Sequence, residues 1–285
     1  MTAKSFSKKE AISHGFQMVK KYFVVILSII LIYAAFNIIS GVLNSRAGSS
    51  ISKDDIKTLY RESAAADNFY SYLEETGYIN KYGMVQLKLQ NISKASDLVL
   101  TANLEADRDK IFKFLNQYRY RLPFPKVIFY LLSIVLWVVG IIMQIGGVKI
   151  CLLLSRDQKP AVSELFSNGS LFWKFLLGSI CYTLAILGGF ILLIIPGIIL
   201  MVMLGMYAYF IVDKNMGPIE SLKASRALTK GVRWQLFCFG ALLSLINLAG
   251  LLCLVVGLLF TIPASYIAMA YVYDKLRKQD EIVVA

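Results

Sequence analysis

The chain has 285 residues, of which 57% are hydrophobic, and it carries a formal net charge of +12. Soluble globular domains are about 45–50% apolar and about 25% charged, whereas only 17% of these residues are charged. The composition therefore favours a membrane protein over a soluble one. Orientation in a membrane explains the positive charge more simply than a nucleic-acid partner does, and we expect no nucleic acid.

The first 43 residues predict a basic amphipathic helix that leads into a membrane span. Ser7 and Glu10 have the spacing of a capping box, in which each side chain satisfies a backbone amide at the helix start. One apolar face follows at helical spacing: Ile12, Phe16, Val19 and Phe23. We expect this helix to lie on the inner membrane surface. The apolar stretch at 22–43 exceeds the roughly 7–15 residues of a signal peptide, which favours an uncleaved anchor.

Residues 44–125 are hydrophilic, and no apolar run among them reaches the length of a span. They predict a mostly helical insert, with one helix around 105–120. Val85, Leu87 and Leu89 alternate with polar residues, which is typical of a short strand, although the same stretch also fits a helix. We expect this insert to lie outside the cytoplasm, where it can contact an envelope protein partner.

Residues 126–285 predict a transmembrane domain. The stretch at 171–213 has no charge between Lys174 and Asp213, so it can hold two spans of about 20 residues each. Near its middle lie residues that free the backbone to turn: Gly188, Gly189, Pro196 and Gly197. A second long apolar stretch covers 234–273, and one further span covers 126–153. With the first span, this predicts an all-α polytopic membrane protein of six transmembrane helices in three hairpins.

The basic residues predict the orientation of these spans. Lysine and arginine occur in the N-terminal segment, in the link at 155–171, in the segment at 214–233 and in the C-terminal tail, but not in the turns at 188–197 and 250–257. With six spans, every basic segment falls on one side, which the positive-inside rule makes cytoplasmic. We therefore expect a cell-membrane protein with both termini in the cytoplasm.

The two long hairpins share a pattern at an offset of 61 residues. Trp173 matches Trp234, Gly189 matches Gly250, and Asp213 matches Asp274; both aspartates precede a lysine. The pattern predicts two hairpin repeats, at about 155–214 and 215–275, related about an axis along the membrane normal. The N-terminal helix and the first hairpin would be a diverged third copy. The alternative is that apolar segments resemble one another by composition alone.

The segment at 214–233 predicts a second basic amphipathic helix. Gly217-Pro218 suits a helix start, and small or apolar residues such as Ser221 and Ser225 could seat against the spans. Four cations are spaced so that they stack on the opposite face: Lys223, Arg226, Lys230 and Arg233. Such a face can contact anionic lipid headgroups, or it can serve only to set the topology.

Residues 146–275 resemble the glycerophosphoryl diester phosphodiesterase membrane domain, a family of prokaryotic multi-pass membrane proteins. The resemblance rests on the Pro196-Gly197 turn, on Asp213 at the end of a span, and on the segment from Glu220 to Trp234. It implies a multi-pass helical fold and no particular activity. In named members a separate hydrolase domain accompanies the membrane part, and this chain has no room for one.

The residue inventory predicts no enzyme, no cofactor and no metal site. The one histidine, His14, lies in the N-terminal helix, and the four cysteines lie singly in apolar runs. Phosphate-binding loops and hydrolase motifs are missing from the sequence. We expect a non-enzymatic protein whose partner is the bilayer, in particular its anionic lipids, in scaffolding or membrane homeostasis. The alternative is a transporter or channel with a polar path near Gln144 and Asn247.

Overall fold

The computed structural model describes residues 4–46, 126–252 and 257–284, together with residues 70, 71, 73–75 and 79. The helices of the long described stretches are α1 Lys8–Lys21, α2 Phe23–Arg46, α3 Lys126–Ser155, α4 Phe172–Leu192, α5 Ile194–Leu204, α6 Tyr207–Lys214, α7 Pro218–Leu228, α8 Arg233–Leu252 and α9 Leu258–Val284. Two short 3₁₀ turns, Val162–Leu165 and Gly169–Leu171, precede α4. The described part of the chain is all-helical, as predicted.

Within the described residues, five helical stretches are long and apolar enough to cross a membrane: Phe23–Leu43, Tyr130–Ser155, Val162–Leu192, Ile194–Lys214 and Arg233–Leu252. Their outward side chains are apolar too; at the tip between α4 and α5, Ile191 is 86% exposed. Exposed apolar surface of this extent requires a covering, which lipid supplies. The sixth predicted span falls in α9. This helix is not among the five because its apolar part ends at Asp274. The sixth span therefore stays a prediction.

The chain divides into two compact units, residues 1–34 with 138–285, and residues 35–137. In the second unit the described residues comprise parts of α2 and α3, a short helical piece around Leu73, and Ile79, and the side chains of Leu73 and Ile79 are buried. Most of the predicted insert at 44–125, including its possible strand, lies outside the described residues. The remaining description concerns the first unit.

Helix α9 is the centre of the first unit, and α1 packs along it. Ala268, Tyr273 and Leu276 of α9 are buried. A Cβ on Gly15 of α1 would lie 2.4 Å from the Ala264 carbonyl oxygen, so the two backbones nearly touch. Close helix pairs in membranes need small residues of this kind at their contact.

The buried face of α1 therefore differs from the predicted one. It shares Val19 with the predicted face and adds Ala11, Gly15 and Met18, whereas the predicted Phe16 is 37% exposed. The prediction weighted large apolar residues, but contact with α9 favours small ones. One of the two hydrogen bonds of the predicted capping box is present: the Ser7 hydroxyl accepts from the Glu10 amide at 3.3 Å. The Glu10 carboxylate does not complete the box, because it binds Tyr271 and Lys275 instead.

The glycines of both long hairpins serve packing between helices. The chain turns between α4 and α5 at Leu193, which has an extended backbone, and Pro196 sits in the first turn of α5, where its missing N–H costs nothing. A Cβ on Gly189 would lie 2.9 Å from Gly197 Cα, and one on Gly250 would lie 3.2 Å from the Gly257 carbonyl carbon. Gly188 faces open space. The predicted role of Gly188 and Gly189 in turning is thus wrong, because α4 continues through both.

The returning half of the first hairpin is interrupted between α5 and α6. The break leaves the carbonyl of Met203 and the amide of Met206 without helical partners, and α7 supplies them. Ser225 Oγ donates to Met203 O and accepts from Met206 N, both at 3.0 Å, and Thr229 Oγ1 donates to Met203 O at 3.1 Å. Broken helices are tolerated in membranes where buried polar groups satisfy the freed backbone in this way. The prediction that small residues of this segment seat against the spans is confirmed.

Candidate functional site

One guanidinium joins the ends of α3 and α6 to the middle of α9. Arg156, just after α3, donates from Nη2 to Asp213 Oδ1 and to Asp274 Oδ1, each at 2.7 Å, and from Nε to Asp274 Oδ2 at 2.8 Å. Asp213 lies in α6 and Asp274 in α9, and both carboxylates are almost fully buried. The two aspartates matched at the offset of 61 residues therefore bind the same cation.

Further side chains complete this group, which we call the Arg156 cluster: Ser155, Arg156, Asp213, Tyr273, Asp274 and Arg277. Ser155 Oγ donates to Asp274 Oδ2 and Tyr273 Oη donates to Asp213 Oδ2, both at 3.2 Å. Arg277 lies 3.6 Å from Asp213 and 3.7 Å from Asp274. The bond to Asp274, followed by the bond to Asp213, raises the pKa of Arg156 above its ordinary value.

The Arg156 cluster links α3, α6 and α9 through hydrogen bonds and ion pairs, which is a structural role. Its two buried acids lie beside two arginines, and each carboxylate accepts hydrogen bonds from more than one donor. Among the described residues, no group of three or more histidine, cysteine, aspartate or glutamate side chains could hold a metal ion. His14, the one histidine, bonds the Ser155 carbonyl at 3.0 Å and lies against the Tyr271 ring.

The four predicted lipid-contact cations do not share one helix. Lys223 and Arg226 are exposed on α7, which ends at Leu228, and Lys230 follows in a turn. Gly231 takes a left-handed φ of +89° in that turn, and Arg233 begins α8. The expectation of one continuous basic helical face is wrong, because α7 ends at Leu228, before Lys230, and the left-handed Gly231 separates Lys230 from Arg233. Lys223, Arg226 and Lys230 are nevertheless all exposed, and we call them the basic surface.

The two matched tryptophans lie at the outside of the protein. Trp173 is 69% exposed at the start of α4, and Trp234 is 74% exposed at the start of α8. Tryptophan favours the boundary between water and lipid, where its ring is apolar and its N–H stays wet. Each tryptophan lies at the start of the first helix of its hairpin, and its role as a boundary marker stays a prediction.

The carboxylates described in the first unit form ion pairs or hydrogen bonds with groups other than the three cations of the basic surface. The carboxylates near it and across the described first unit are engaged: Glu10 with Lys275, Asp157 with Lys21, Glu164 with Lys149, Asp280 with Lys4, and Glu281 with Arg277 and Lys214. Glu220 bonds the Gly217 amide at the start of α7. Lys223, Arg226 and Lys230 are thus without an acidic partner in the parts of the chain that the structure describes.

An apolar cavity of about 620 Å³ opens between α2, α3 and α9. Helix α2 lines it with Ile26, Ile29 and Tyr33; α3 lines it from Gln144 to Leu154; and α9 lines it with Ile262 and Ile267. Its wall is almost entirely hydrocarbon, and its size falls within the range of small-molecule sites. Sequence reasoning missed this cavity, although Gln144 was named as a residue that could line a path.

A smaller hollow of about 380 Å³ lies at the start of α2, lined by Lys20, Lys21, Tyr22 and Lys159 among others. Lys21 is held at 2.6 Å by Asp157, and Tyr22 Oη donates to the Asp157 carbonyl at 3.2 Å. The bond from Lys21 lowers the pKa of Asp157, and the bond to Asp157 raises the pKa of Lys21. Lys20 and Lys159 are exposed and form no ion pair with any described residue.

The fold and these sites define an all-helical protein embedded in a membrane. Over 155 residues, which are 54% of this chain, it is 27% identical to Uncharacterized protein Mb2590 of Mycobacterium bovis and to Uncharacterized protein MT2637 of Mycobacterium tuberculosis. Uncharacterized protein Rv2560 of M. tuberculosis is 26% identical over the same length. The chain covers about half, 47%, of each of these relatives. No protein-family model matches the chain, and no solved structure matches it.

Proposed function

We propose that the chain is a non-enzymatic integral protein of the cell membrane that associates with anionic lipid and serves lipid-associated scaffolding or membrane homeostasis. The basic surface carries this proposal, because its three exposed cations have no acidic partner in the described residues. Each lysine or arginine near an anionic membrane surface contributes about 1 kcal/mol of attraction. The exposed Trp173 and Trp234 support a boundary position for the helices that they begin.

The proposal includes the finer architecture. It has six spans in three hairpins, with α9 as the sixth, and both termini in the cytoplasm, so that all basic segments share one side. Supporting observations are the matched contacts Gly189 with Gly197 and Gly250 with Gly257, and the shared binding of Asp213 and Asp274 to one arginine. The resemblance to the glycerophosphoryl diester phosphodiesterase membrane domain belongs to this proposal as well. A cysteine placed at residue 70 and modified only from the cytoplasmic side would contradict this topology.

The transporter or channel alternative needs a polar path between the helices. Gln144 lines the apolar cavity, whereas Asn247 bonds Ser265 at 3.3 Å. Besides Gln144 the cavity offers only tyrosine hydroxyls and a thiol among aliphatic and aromatic side chains, and this mainly apolar wall suits hydrocarbon better than a hydrated solute. We therefore place lipid association ahead of solute transport.

Charge reversal of the basic surface tests the proposal. The triple variant Lys223→Glu, Arg226→Glu and Lys230→Glu should retain several-fold less phosphatidylglycerol through purification of the full chain, as counted by mass spectrometry of the extracted lipid. A matched variant reverses Lys8, Lys9 and Lys278, which changes the net charge by the same amount elsewhere, and it should retain more lipid than the first. Equal retention by the wild type and the basic-surface variant would contradict the proposal.

A further inference from the structure

The apolar cavity has the length of one leaflet's hydrocarbon. On α3 its lining runs from Gln144 to Leu154, ten residues along a helix that rises 1.5 Å per residue, or about 15 Å. The hydrocarbon core of a bilayer is about 30 Å thick, so one leaflet contributes about the same 15 Å. Because the lining belongs to helices that can span the membrane, the solvent at its opening is lipid.

One end of this cavity lies close to cations. Ile26 lines the cavity and the preceding residues Phe23 to Val25 line the smaller hollow, so the two follow each other directly along α2. The hollow holds Lys20 and Lys159, which are exposed and unpaired within the described chain, while Asp157 is already occupied by Lys21. At the other end, Tyr33 Oη donates to the Met143 carbonyl and offers no charge.

We infer that the first unit binds one anionic phospholipid, with an acyl chain in the apolar cavity and its phosphate at Lys20 and Lys159. This inference rests on the proposed lipid association and gives it a specific site, separate from the basic surface. A hydrocarbon chain matches the wall of the cavity, where burial of apolar area is favourable. A phosphate matches the hollow, where two lysines offer donors while the neighbouring carboxylate of Asp157 is paired with Lys21. The lipid is a single bound molecule, in contrast to the many headgroups that a basic surface attracts.

Filling the cavity tests the acyl-chain part. The full chain is purified in detergent with phosphatidylglycerol, and bound lipid is counted by native mass spectrometry. Ile29→Phe with Ile150→Phe narrows the cavity and should lower the occupancy of the one-lipid state at least ten-fold. The matched control, Leu184→Phe with Leu245→Phe, adds the same volume at lipid-facing positions outside the cavity and should leave that occupancy unchanged. Equal occupancy in the two variants would overturn the inference.

A second measurement tests the acyl-chain part if the variant Ile29→Phe with Ile150→Phe does not fold. Trp137, Trp173 and Trp234 are replaced by Phe, and Tyr209→Trp then provides a reporter in the wall of the cavity. One equivalent of phosphatidylglycerol with brominated chains should quench this reporter by half or more in detergent. A protein that keeps Trp173 alone should be quenched far less. No quenching of the cavity reporter would overturn the inference.

Charge reversal separates the phosphate part from the proposed function. Lys20→Glu with Lys159→Glu should abolish the preference of the one-lipid state for phosphatidylglycerol over phosphatidylcholine, while the basic-surface triple variant should preserve it. If the basic-surface variant loses its retained lipid and the cavity variants do not, the inference fails and the proposed function stands. If neither set of variants loses lipid, both fail.

Discussion

The two long hairpins follow one sequence pattern but are built differently. In the first, α4 is followed by a return that breaks between α5 and α6. In the second, α8 is followed by the continuous helix α9, which lies at the centre of the first unit. Both close through glycine pairs, and both end at an aspartate that binds Arg156. The shared Trp, Gly and Asp pattern thus accompanies the same closure and the same final aspartate in both hairpins. Whether the returning helix is continuous depends on the helix that packs against it.

The difference follows from what covers each returning helix. The break between α5 and α6 is covered by α7, whose hydroxyls bond the free backbone groups. Helix α9 is covered by α1, whose Ala11 and Gly15 offer no hydroxyl and allow the backbones to approach closely. Helix α9 keeps its helical course through Pro263, so small apolar residues are enough to cover it beside α1. The four predictions below run from the largest expected effect to the smallest.

Arg156→Leu should have the largest effect, because it removes the cation that Asp213 of the first hairpin and Asp274 of the second both bind. It leaves Asp213 and Asp274 buried with only Arg277 nearby, and breaking such a group costs about 3 kcal/mol, the lower end of the range because the arginine is partly exposed. The melting temperature in detergent should fall by several degrees. Adding Asp213→Asn and Asp274→Asn to this variant should recover part of the loss, since neutral amides cost less to bury. A wild-type melting temperature for Arg156→Leu would contradict a structural role.

The glycine pairs should respond alike in the two hairpins. In Gly189→Ala the new Cβ would lie 2.9 Å from Gly197 Cα, and in Gly250→Ala it would lie 2.6 Å from Thr261 Oγ1. Each should lose about 1–3 kcal/mol of unfolding free energy through overpacking. Gly188→Ala is the matched control, since nothing lies near its Cβ and alanine favours a helix. A loss in only one of the two hairpins would show that their closure differs.

Ser225→Ala should affect the first hairpin alone. It removes the donor to Met203 O and the acceptor for Met206 N, and leaving buried backbone groups less well satisfied should cost about 1–2 kcal/mol. Ser244→Ala is the control, because that exposed hydroxyl only bonds Gly240 O in its own helix. Hydrogen exchange should be faster around 203–206 in Ser225→Ala and unchanged in Ser244→Ala. Unchanged exchange at 203–206 in Ser225→Ala would show that the break needs no support from α7.

Asp157→Asn should have the smallest effect. The φ of +57° at Asp157 suits asparagine, so this change removes only the charge opposite Lys21. Because the folded-state pKa of Asp157 is lowered, its stabilising effect is present above its unfolded-state pKa and is lost as pH falls through the folded-state value. The melting-temperature difference between wild type and variant should therefore be small at pH 7 and vanish in acid. A difference that grows toward acid would contradict this sign.

Local patterns in the sequence predict much of this fold. Long charge-free stretches mark the five spanning helices, and Gly217-Pro218 with Glu220 marks the start of α7. The pattern of Trp, Gly and Asp points to the exposed boundary rings, the helix contacts and the buried acids. These features depend on residues close in sequence or on transfer of whole segments into lipid, which hydropathy and spacing capture.

Other features depend on residues far apart in the chain. Arg156 meets Asp274 across 118 residues, and nothing in its local sequence marks it as more than a charge after a span. The prediction for the buried face of α1 holds at Val19 but leaves out Ala11 and Gly15, because the contact with α9 favours small residues whereas periodicity favours large ones. The apolar cavity lies where α2, α3 and α9 leave space between them. The sequence of any one helix does not show such a space. The sequence therefore predicts the two aspartates and the exposed cations of the candidate sites, but neither Arg156 as their shared partner nor the apolar cavity.

The contact between α1 and α9 places a demand on biosynthesis. The Tyr271 hydroxyl bonds Glu10, a residue 261 positions earlier, and translation proceeds at about 5–20 residues per second. Helix α1 therefore leaves the ribosome roughly 13–50 s before its partner exists. Throughout that interval the strip around Ala11 and Gly15 has no native partner, and docking of α9 becomes the final step that closes the first unit. A chain halted before α9 would keep this strip of α1 without its native partner.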